Sequence, residues 1–262
     1  MGYLIRGEDG MNAVERQALI YEYIKKHKEV SVNYIAEYFQ ISPVTVRRYL
    51  DALEQNGMIR REYGKAILAD YSRVEKSYWL RSRENIESKR QIAKRALPYL
   101  LNASSAFFDG SSTALELLKL LPETKAITIY AANSAVFHYL ENHEHVRLFV
   151  LGGYLNRADG LTLDSEITIN IAKNIYVDAV FFSCSGFNGQ SIFYDGTTGV
   201  GVKQILMKNS AHNYLLADHT KCNASSVIRI DSWDFIDTLV CDSKFDKKVE
   251  LKLKDKGVEI IY

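Results

Sequence analysis

The sequence of 262 residues has few of the features that mark secreted, membrane or metal-binding proteins. Its three cysteines, Cys184, Cys222 and Cys241, are odd in number and far apart, so they form neither a disulfide framework nor a zinc pattern. No apolar run approaches the roughly 20 residues that span a bilayer, and no secretion signal opens the chain. The six histidines show no ligand spacing. We therefore expect a cytoplasmic protein with no membrane span, no bound metal and no cofactor.

The chain also lacks a net charge of any size, since 33 Lys+Arg balance 32 Asp+Glu and the formal net charge is +1. This average hides two unlike parts. Residues 1–95 hold 18 basic and 13 acidic residues, whereas residues 96–262 hold 15 basic and 19 acidic residues. The hydrophobic fraction of 47% is ordinary for a globular protein. A basic front and an acidic back predict two domains with different tasks.

Residues 12–70 have the pattern of a small helical domain that contains a tight turn. Apolar residues at helical spacing predict one helix from Asn12 and a second helix capped by Ser31. Ser42 and Pro43 predict the start of a third helix, because serine caps the first turn and proline fits the next position. The predicted buried face of this third helix is Val46, Leu50 and Leu53. Two helices joined by such a turn indicate a helix-turn-helix.

The exposed side of the third helix and the segment after it are rich in basic residues. Residues 58–68 are typical of two short strands that turn near Gly64, which makes a small wing. The candidate DNA contacts are Ser42, Thr45, Arg47, Arg48 and Tyr49 in the helix and Arg60, Arg61 and Lys65 in the wing. Their side chains suit phosphate oxygens and guanine edges. An arginine pair alone also fits a solvated helix, but the ordered set of turn, basic face and basic wing favours a DNA-binding winged helix.

The boundaries of the two domains follow from charge and pattern. We predict that residues 1–11 are a mobile extension and that residues 71–95, with eight Lys+Arg against three Asp+Glu, are a basic linker and the start of a connecting helix. The linker charge either follows the DNA backbone or keeps the segment soluble, and both possibilities stay open. Residues 1–70 alone hold ten charges of each sign. An isolated N-terminal domain is therefore expected to bind DNA poorly.

Residues 96–262 alternate short apolar runs with helical patterns. Such alternation predicts a Rossmann-like, mostly parallel sheet that is covered by helices on both faces. In these sheets the ligand crevice lies beyond the C-terminal ends of the strands. Polar residues and glycines follow several predicted strands: Asp109, Gly110, Ser111, Ser112 and Thr113; Asn133 and Ser134; Gly152 and Gly153; Ser183; and residues 218–221.

The first of these loops is the most informative. Asp109 ends a strand, Gly110 allows a tight turn, and three hydroxyl residues open a helix whose free N–H groups suit an anion. Plain capping by serine explains the same residues. A second loop that offers Lys221, a point charge suited to phosphate, favours the anion site. The glycines at 196, 199 and 201 do not form the dinucleotide fingerprint, and we interpret them as a flexible loop able to fold over a ligand.

Two parts of the chain resemble a known family. Residues 12–66 resemble the helix-turn-helix of the DeoR family of bacterial transcription regulators, through the segment 35–50 and then Leu53, Glu54, Gly57 and Arg61. The C-terminal part is similar to the sugar-phosphate sensor domain of that family, through residues 109–113, 133–134, 151–153, 218–221 and 235–242. The resemblance covers nearly the whole chain from Met11. It implies an oligomeric regulator whose affinity for an operator changes when a phosphorylated sugar binds, and a sensor fold shared with ribose-5-phosphate isomerase and glucosamine-6-phosphate deaminase.

Four positions depart from the pattern of this family. Tyr49 stands where the family usually has aspartate, and Lys65 replaces a usual glycine in the wing. Ser183 replaces a usual glycine near the expected pocket, and Gly201 stands where a glutamate commonly precedes Lys203 by two residues. The resemblance thereby adds Lys203 to the candidate ligand-binding residues. The departure at Tyr49 bears on the preference for a DNA half-site, and those at Ser183 and Gly201 bear on the chemistry of the ligand.

Three functions stay open from the sequence: a ligand-controlled regulator, a sugar-phosphate isomerase or deaminase, and a constitutive DNA-binding protein that uses its second domain only for assembly. An isomerase needs carboxylates as acid and base, and residues 183–186 contain none. Asp195 has the position of a turn residue, and nothing places a base beside Cys184. We therefore predict a non-enzymatic repressor of a sugar catabolism or transport operon. Its predicted partners are double-stranded operator DNA, a phosphorylated sugar and further copies of itself.

Overall fold

The computed structural model describes residues 13–55, 59–68, 78–155, 162–196, 199–226, 228–231 and 233–262. The chain forms two compact units, residues 1–77 and residues 78–262. The predicted extension 1–11 and the linker segment 71–77 lie outside the described residues. The domain boundaries drawn from the sequence stay predictions.

The first unit is a helical core closed by a small sheet. Its elements are α1 (Ala13–His27), β1 (Glu29–Ser31), α2 (Val32–Tyr38), α3 (Pro43–Gln55), β2 (Ile59–Glu62) and β3 (Lys65–Leu68). The strand order is β1-β3-β2 and both pairs are antiparallel. The hairpin turns at Tyr63 and Gly64, which both have positive φ, and this is the geometry of the tight turns that match strand twist. The predicted winged helix is confirmed, and β1 is an addition that the sequence did not indicate.

Local hydrogen bonds explain where the helices of the first unit begin. Ser31 Oγ accepts the N–H of Tyr34 at 3.2 Å, and Ser42 Oγ accepts the N–H of Thr45 at 3.1 Å. Both predicted caps are thus confirmed. The core of the unit contains apolar side chains that are fully buried or nearly so, among them Ile20, Ile24, Ile35, Val46, Leu50, Leu53 and Ile59. The predicted inner face of α3 is therefore also confirmed.

The second unit is an α/β domain. Its helices are α4 (Tyr78–Arg83), α5 (Ile86–Asn102), α6 (Ser112–Leu118), α7 (Ser134–Leu140), α8 (Glu166–Ala172), α9 (Val200–Lys208) and α10 (Lys247–Asp255). Its strands are β4 (Ser105–Phe108), β5 (Ile127–Ala131), β6 (Val146–Val150), β7 (Tyr154–Leu155), β8 (Leu163–Asp164), β9 (Val177–Phe182), β10 (Gly186–Phe187), β11 (Ser191–Tyr194), β12 (Ser210–Leu216), β13 (Ile228–Asp231), β14 (Thr238–Val240) and β15 (Glu259–Ile261).

A parallel sheet organises this unit, in the order β15-β14-β12-β9-β4-β5-β6. Apolar side chains of α5, α6 and α7 form one buried cluster with the sheet, and those of α8, α9 and α10 form another. Both faces are covered, as predicted. Smaller antiparallel pairings, β10-β11-β13 and β7-β8, lie outside the main sheet. Within the described residues, no helix is long and apolar enough to cross a membrane.

The connectivity creates a switch point between β4 and β9. From β4 the chain continues to β5 and β6 on one side, and it then returns to β9 on the other side. The loops that leave β4 and β9 therefore diverge, which opens a crevice at their C-terminal ends. Asp109 and Ser183 directly follow these two strands.

The glycine-containing segment near residue 200 differs from the prediction of a flexible loop. Gly199 has a φ of +69° and precedes α9, while Gly201 lies inside that helix. Val202, Leu206 and Met207 are buried against the sheet, and this apolar face explains why the segment is helical despite its glycines. Residues 197 and 198 lie outside the described residues.

Candidate functional site

The exposed face of α3 carries two arginines. Arg47 and Arg48 are both exposed, and neither forms an ion pair with a residue in the described part of the chain. The Arg48 guanidinium lies 5.5 Å from the centre of the Tyr49 ring. Ser42 and Thr45 share a hydrogen bond of 2.8 Å at the start of the helix. Hydroxyl and guanidinium groups are thus presented on the N-terminal half of the helix.

Tyr49 requires a correction. We predicted that it contacts DNA, but only 6% of its surface is exposed. The position lies three residues after Val46 and four before Leu53, so its side chain falls on the buried face of α3. Its ring lies next to the Arg48 guanidinium and is too buried to contact a base pair.

Arg61 joins the wing to α3. Its guanidinium forms an ion pair with Asp51, and its backbone N–H donates to Glu54 Oε1 at 2.9 Å. Both acceptors belong to α3. The side chain and N–H of Arg61 therefore fix the wing against α3.

The other two basic residues of the wing also face carboxylates. Arg60 lies 3.5 Å from Glu62, and Lys65 Nζ lies 2.5 Å from Glu29 Oε1. The hydrogen bond and the charge of Glu29 raise the pKa of Lys65. Both pairs are largely exposed, so solvent and salt compete with them.

In the second unit, a buried ion pair lies at the switch point of the sheet. Lys203 Nζ is 2.9 Å from Asp109 Oδ2, and 10% and 4% of the two side chains are exposed. Asp109 also accepts the N–H groups of Ser111 at 2.9 Å and Ser183 at 3.2 Å. Burial alone raises the pKa of Asp109, but the Lys203 ammonium and the hydrogen bonds outweigh it and hold that pKa below its ordinary value. Lys203 Nζ further lies 4.0 Å from the centre of the Tyr194 ring.

The loop that follows β4 is tightly built. Gly110 has a φ of +73°, and a Cβ at this position would lie 2.1 Å from Asn133 Cγ, so only glycine fits. Ser111 Oγ accepts the N–H of Ala114 at 3.3 Å and thus caps α6. Ser112 Oγ donates to the carbonyl of Arg81 at 3.1 Å. Capping therefore accounts for one serine, and the other contacts α4.

Thr113 and Asn133 both lie next to this loop: Thr113 is in the first turn of α6, and Asn133 approaches Gly110. Thr113 is buried, and its hydroxyl has no hydrogen-bond partner among the described residues. Asn133 Oδ1 accepts the N–H of Ala135 at 2.8 Å, while its Nδ2 donates to Thr162 Oγ1 at 3.4 Å. Asn133 therefore caps α7 and reaches the β8 segment, and Ser134 begins the helix.

Lys221 brings a second cation to the crevice. Its Nζ donates to Ser183 Oγ at 3.0 Å and lies 4.0 Å from Asp218 Oδ2. Asp109, Ser183, Lys203 and Lys221 thus form one connected group. Gly152 and Gly153 have positive φ, and the Gly152 carbonyl accepts the hydroxyl of Thr168 at 2.7 Å; no described bond joins either glycine to that group. Among the described residues, no cluster of His, Cys, Asp or Glu is arranged to bind a metal ion.

The sequence reasoning missed Asn85 and Lys89. Lys89 is 3% exposed, and its Nζ donates to the carbonyls of Arg81 and Glu84. A signal was available, because Lys89 lies on the buried stripe of α5 that continues three residues later at Ile92. No comparable signal marked Asn85, whose side chain reaches Asp218 more than 130 residues away.

Comparisons with known proteins agree with the geometry of both units. A family model described as the DeoR-like helix-turn-helix domain matches residues 16–71, and one described as the DeoR C terminal sensor domain matches residues 84–243. The HTH-type transcriptional regulator GolR of Listeria innocua is 29% identical, over 94% of this chain and 97% of that protein.

Two relatives from Escherichia coli have names that refer to operons or regulons. The L-fucose operon activator is 26% identical, over 89% of this chain and 96% of its own length. The glycerol-3-phosphate regulon repressor is 26% identical, over 95% and 99%. A solved ribose 5-phosphate isomerase A from Methanocaldococcus jannaschii aligns with a TM-score of 0.40 and 15% identity, over 53% of this chain and 55% of that chain.

Proposed function

Because this chain belongs to the DeoR family of transcriptional regulators, we propose that it controls a sugar catabolism or transport operon and that a phosphorylated sugar changes its affinity for operator DNA. The relatives are named as regulators rather than enzymes, which places this chain in the same class. Since it is proposed to bind bacterial operator DNA, we propose that the protein acts in the cytoplasm. We propose a homo-oligomer, because two helix-turn-helix units can bind two half-sites at once.

The DNA-binding part of the proposal depends on the exposed face of α3. Recognition helices of this type enter the major groove with their N-terminal residues at the base edges. Arg47 and Arg48 have that position and no competing carboxylate among the described residues. A guanidinium binds guanine O6 and N7 through two hydrogen bonds. Ser42 and Thr45 are proposed to contact phosphate, and Arg60 and Lys65 to do so once their carboxylate partners release them.

One observation carries the effector part of the proposal: Asp109 and Ser183 link the two lysines of the crevice, since Lys203 pairs with Asp109, Asp109 accepts the N–H of Ser183, and Lys221 donates to the Ser183 hydroxyl. Lys203 is neutralised by Asp109, which leaves Lys221 as the partly exposed cation of the group. A phosphate fits a cation beside a hydroxyl and backbone N–H groups. The proposed contacts are Lys221, Ser183 and the start of α6, with Asn133, Ser134, Gly152 and Gly153 along the sugar.

The crevice is proposed to be catalytically silent. Asp109 and Asp218 are its buried carboxylates. Lys203 and two N–H groups hold Asp109 in the charged state, so it is a poor acceptor for a substrate proton. Asp218 already accepts hydrogen bonds from Asn85 and Thr220. Burial raises the pKa of the Cys184 thiol to about 11, which keeps it protonated and a weak nucleophile. We expect no turnover of pentose or hexosamine phosphates by the pure protein.

The proposal is tested with the full-length protein and the upstream region of its own operon. We expect sequence-preferring binding that weakens with salt and that changes on addition of one member of a panel of sugar phosphates, but not of the matching free sugar. A thermal-shift screen identifies that member, because a ligand of the folded state raises Tm. Lys221→Ala should remove the response, and Lys247→Ala, an exposed lysine of the same unit, serves as the matched control. Unchanged operator binding across the whole panel would contradict the effector part.

A further inference from the structure

The C-terminal end of α4 is bonded into the proposed anion site. This helix is the first described element of the second unit, so the chain on its N-terminal side leads to the DNA-binding unit. The carbonyl of Arg81 accepts two hydrogen bonds, one from Ser112 Oγ at 3.1 Å and one from Lys89 Nζ. The carbonyl of Glu84 accepts a second bond from Lys89 Nζ at 2.6 Å.

The residue after this turn is bonded to the opposite loop of the crevice. Asn85 has a φ of +51°, and its Nδ2 donates to Asp218 Oδ1 at 3.2 Å and to Thr220 Oγ1 at 3.1 Å. Asp218 also accepts the N–H of Thr220, so it shapes the turn that presents Lys221. The end of α4 thus touches both of the loops that are proposed to bind the effector.

Ser112 cannot serve α4 and an anion at the same time. A serine hydroxyl has one hydrogen to donate, and here it is given to the Arg81 carbonyl. Ser112 is the first residue of α6 and is only 6% exposed. Helix α4 packs beside α6. A phosphate oxygen that accepts from this hydroxyl must therefore break the bond from Ser112 to the end of α4.

Lys89 is in a similar position. It is a buried ammonium whose described acceptors are two neutral carbonyls. Burial and the nearby Lys221 ammonium lower the pKa of Lys89 to about 8, which Asp218 and Glu84 only partly oppose. A charged oxygen is a stronger partner for an ammonium than a neutral carbonyl. An anion in the crevice would therefore give the Lys89 ammonium a stronger hydrogen-bond acceptor than the two carbonyls.

We propose that Ser112, Lys89 and Asn85 form a latch that holds the end of α4 in the unliganded protein, and that the phosphate of the effector takes Ser112 and Lys89 from it. The released segment is the one that leads to the DNA-binding unit, so release links the crevice to operator affinity. The identity of the effector depends on the proposed function, whereas the latch depends on the contacts of α4. Linkage also requires that a weaker latch gives tighter effector binding, since the two compete for the same groups.

Two variants of the full-length protein open the latch without touching Lys221. Lys89→Met removes both bonds to carbonyls, and Asn85→Gly removes the bonds to the opposite loop while glycine keeps the left-handed backbone. Lys94→Met is the control, because Lys94 is exposed on the same helix. Hydrogen exchange of residues 78–85 and operator affinity are measured with and without two probes, glycerol 3-phosphate and inorganic phosphate.

We expect a bound probe to speed the exchange of residues 78–85 in the wild type. In both latch variants this exchange should already be fast without a probe. A probe that binds should bind more tightly to Asn85→Gly, whereas Lys89→Met also loses a group that the phosphate takes and should show no such gain in affinity. Operator affinity of the variants without a probe should differ from the wild type by about 5- to 150-fold, the usual range of coupling between two sites. Lys94→Met should behave as the wild type in every measurement.

The outcomes separate the latch from the proposed effector. A probe that raises Tm but leaves the exchange of residues 78–85 unchanged or slower overturns the latch alone. If neither probe binds, the operator affinity of the two variants decides. An affinity equal to that of the wild type overturns the latch, and an affinity that differs from it supports the latch. If Lys89→Met does not fold, Asn85→Gly alone gives the answer.

Discussion

The two units of this chain use positive charge in different ways. In the DNA-binding unit Arg47 and Arg48 are exposed, and even the paired Lys65 and Glu29 keep 52% and 47% of their side chains in solvent. In the sensor unit the Lys203–Asp109 pair is buried to nine-tenths or more. An exposed pair exchanges its partner easily for water, salt or a phosphate, whereas a buried pair is costly to break because it leaves an uncompensated charge. The first arrangement suits temporary binding of a polyanion, and the second fixes the shape of a pocket.

The largest effect is expected from the buried pair. Lys203→Met should destabilise the protein by about 3–5 kcal/mol, since Asp109 stays buried without its cation. Urea unfolding measures the loss. Lys254→Met is the control, because it removes a surface pair in which 54% of the Lys254 side chain and 18% of the Glu250 side chain are exposed, and it should change the midpoint far less. A loss for Lys203→Met no greater than that of the control would erase the distinction between the two kinds of pair.

The next largest effect concerns the loop that carries Asp109. Gly110→Ala should cost about 2–4 kcal/mol, because the left-handed backbone disfavours alanine and its Cβ meets Asn133. Gly152→Ala is a matched control: its φ is +72° but nothing lies within 4 Å of its Cβ, so it should cost about 1–2 kcal/mol. Equal losses in thermal unfolding would mean that the close approach of Asn133 contributes nothing.

In the DNA-binding unit the effects should fall on binding rather than on stability. Arg48→Ala should weaken operator binding by about 1–3 kcal/mol and relax the preference at one base pair if the side chain contacts guanine. Arg48→Lys should lose most of the same preference, since lysine cannot form the paired hydrogen bonds. Fluorescence anisotropy with single-base operator variants measures both. A uniform loss across all variants would reassign Arg48 to a phosphate.

The smallest effect is expected from the exposed pair of the wing. Lys65→Ala should weaken binding to all sequences alike and reduce the slope of log affinity against log salt by about 1. Glu29→Gln should have the opposite sign, because it frees Lys65 for phosphate. An unchanged salt slope in both variants would show that Lys65 stays away from the DNA.

Some of these features could be predicted from the sequence because local interactions decide them. Ser31 and Ser42 cap helices through bonds that span three residues, and both caps are as expected. The alternation of apolar strands and helices likewise predicted the parallel sheet and placed Asp109 and Ser183 at its C-terminal edge. Tyr49 belongs here too, since its spacing from Val46 already indicated burial and the assignment to DNA overlooked it.

Other features depend on contacts between distant positions, and no local pattern reveals them. Arg61 looked free for DNA, but the fold brings it to Asp51, ten residues earlier. Ser112 fitted an anion site, yet its hydroxyl is bonded to Arg81, 31 residues away. The glycines near residue 200 suggested a loop, but buried apolar neighbours of Gly201 hold it in a helix. In each case, packing between elements decided what local pattern left open.

The most direct test of the account is operator binding by the full-length protein, titrated with the sugar phosphate that raises its Tm, for the wild type and for Lys221→Ala. We predict equal operator affinity of the two proteins without ligand. The ligand should then change the affinity of the wild type by about 5- to 150-fold and leave the variant unchanged. An equal response of both proteins, or the absence of any sequence-preferring binding by the wild type, would contradict it.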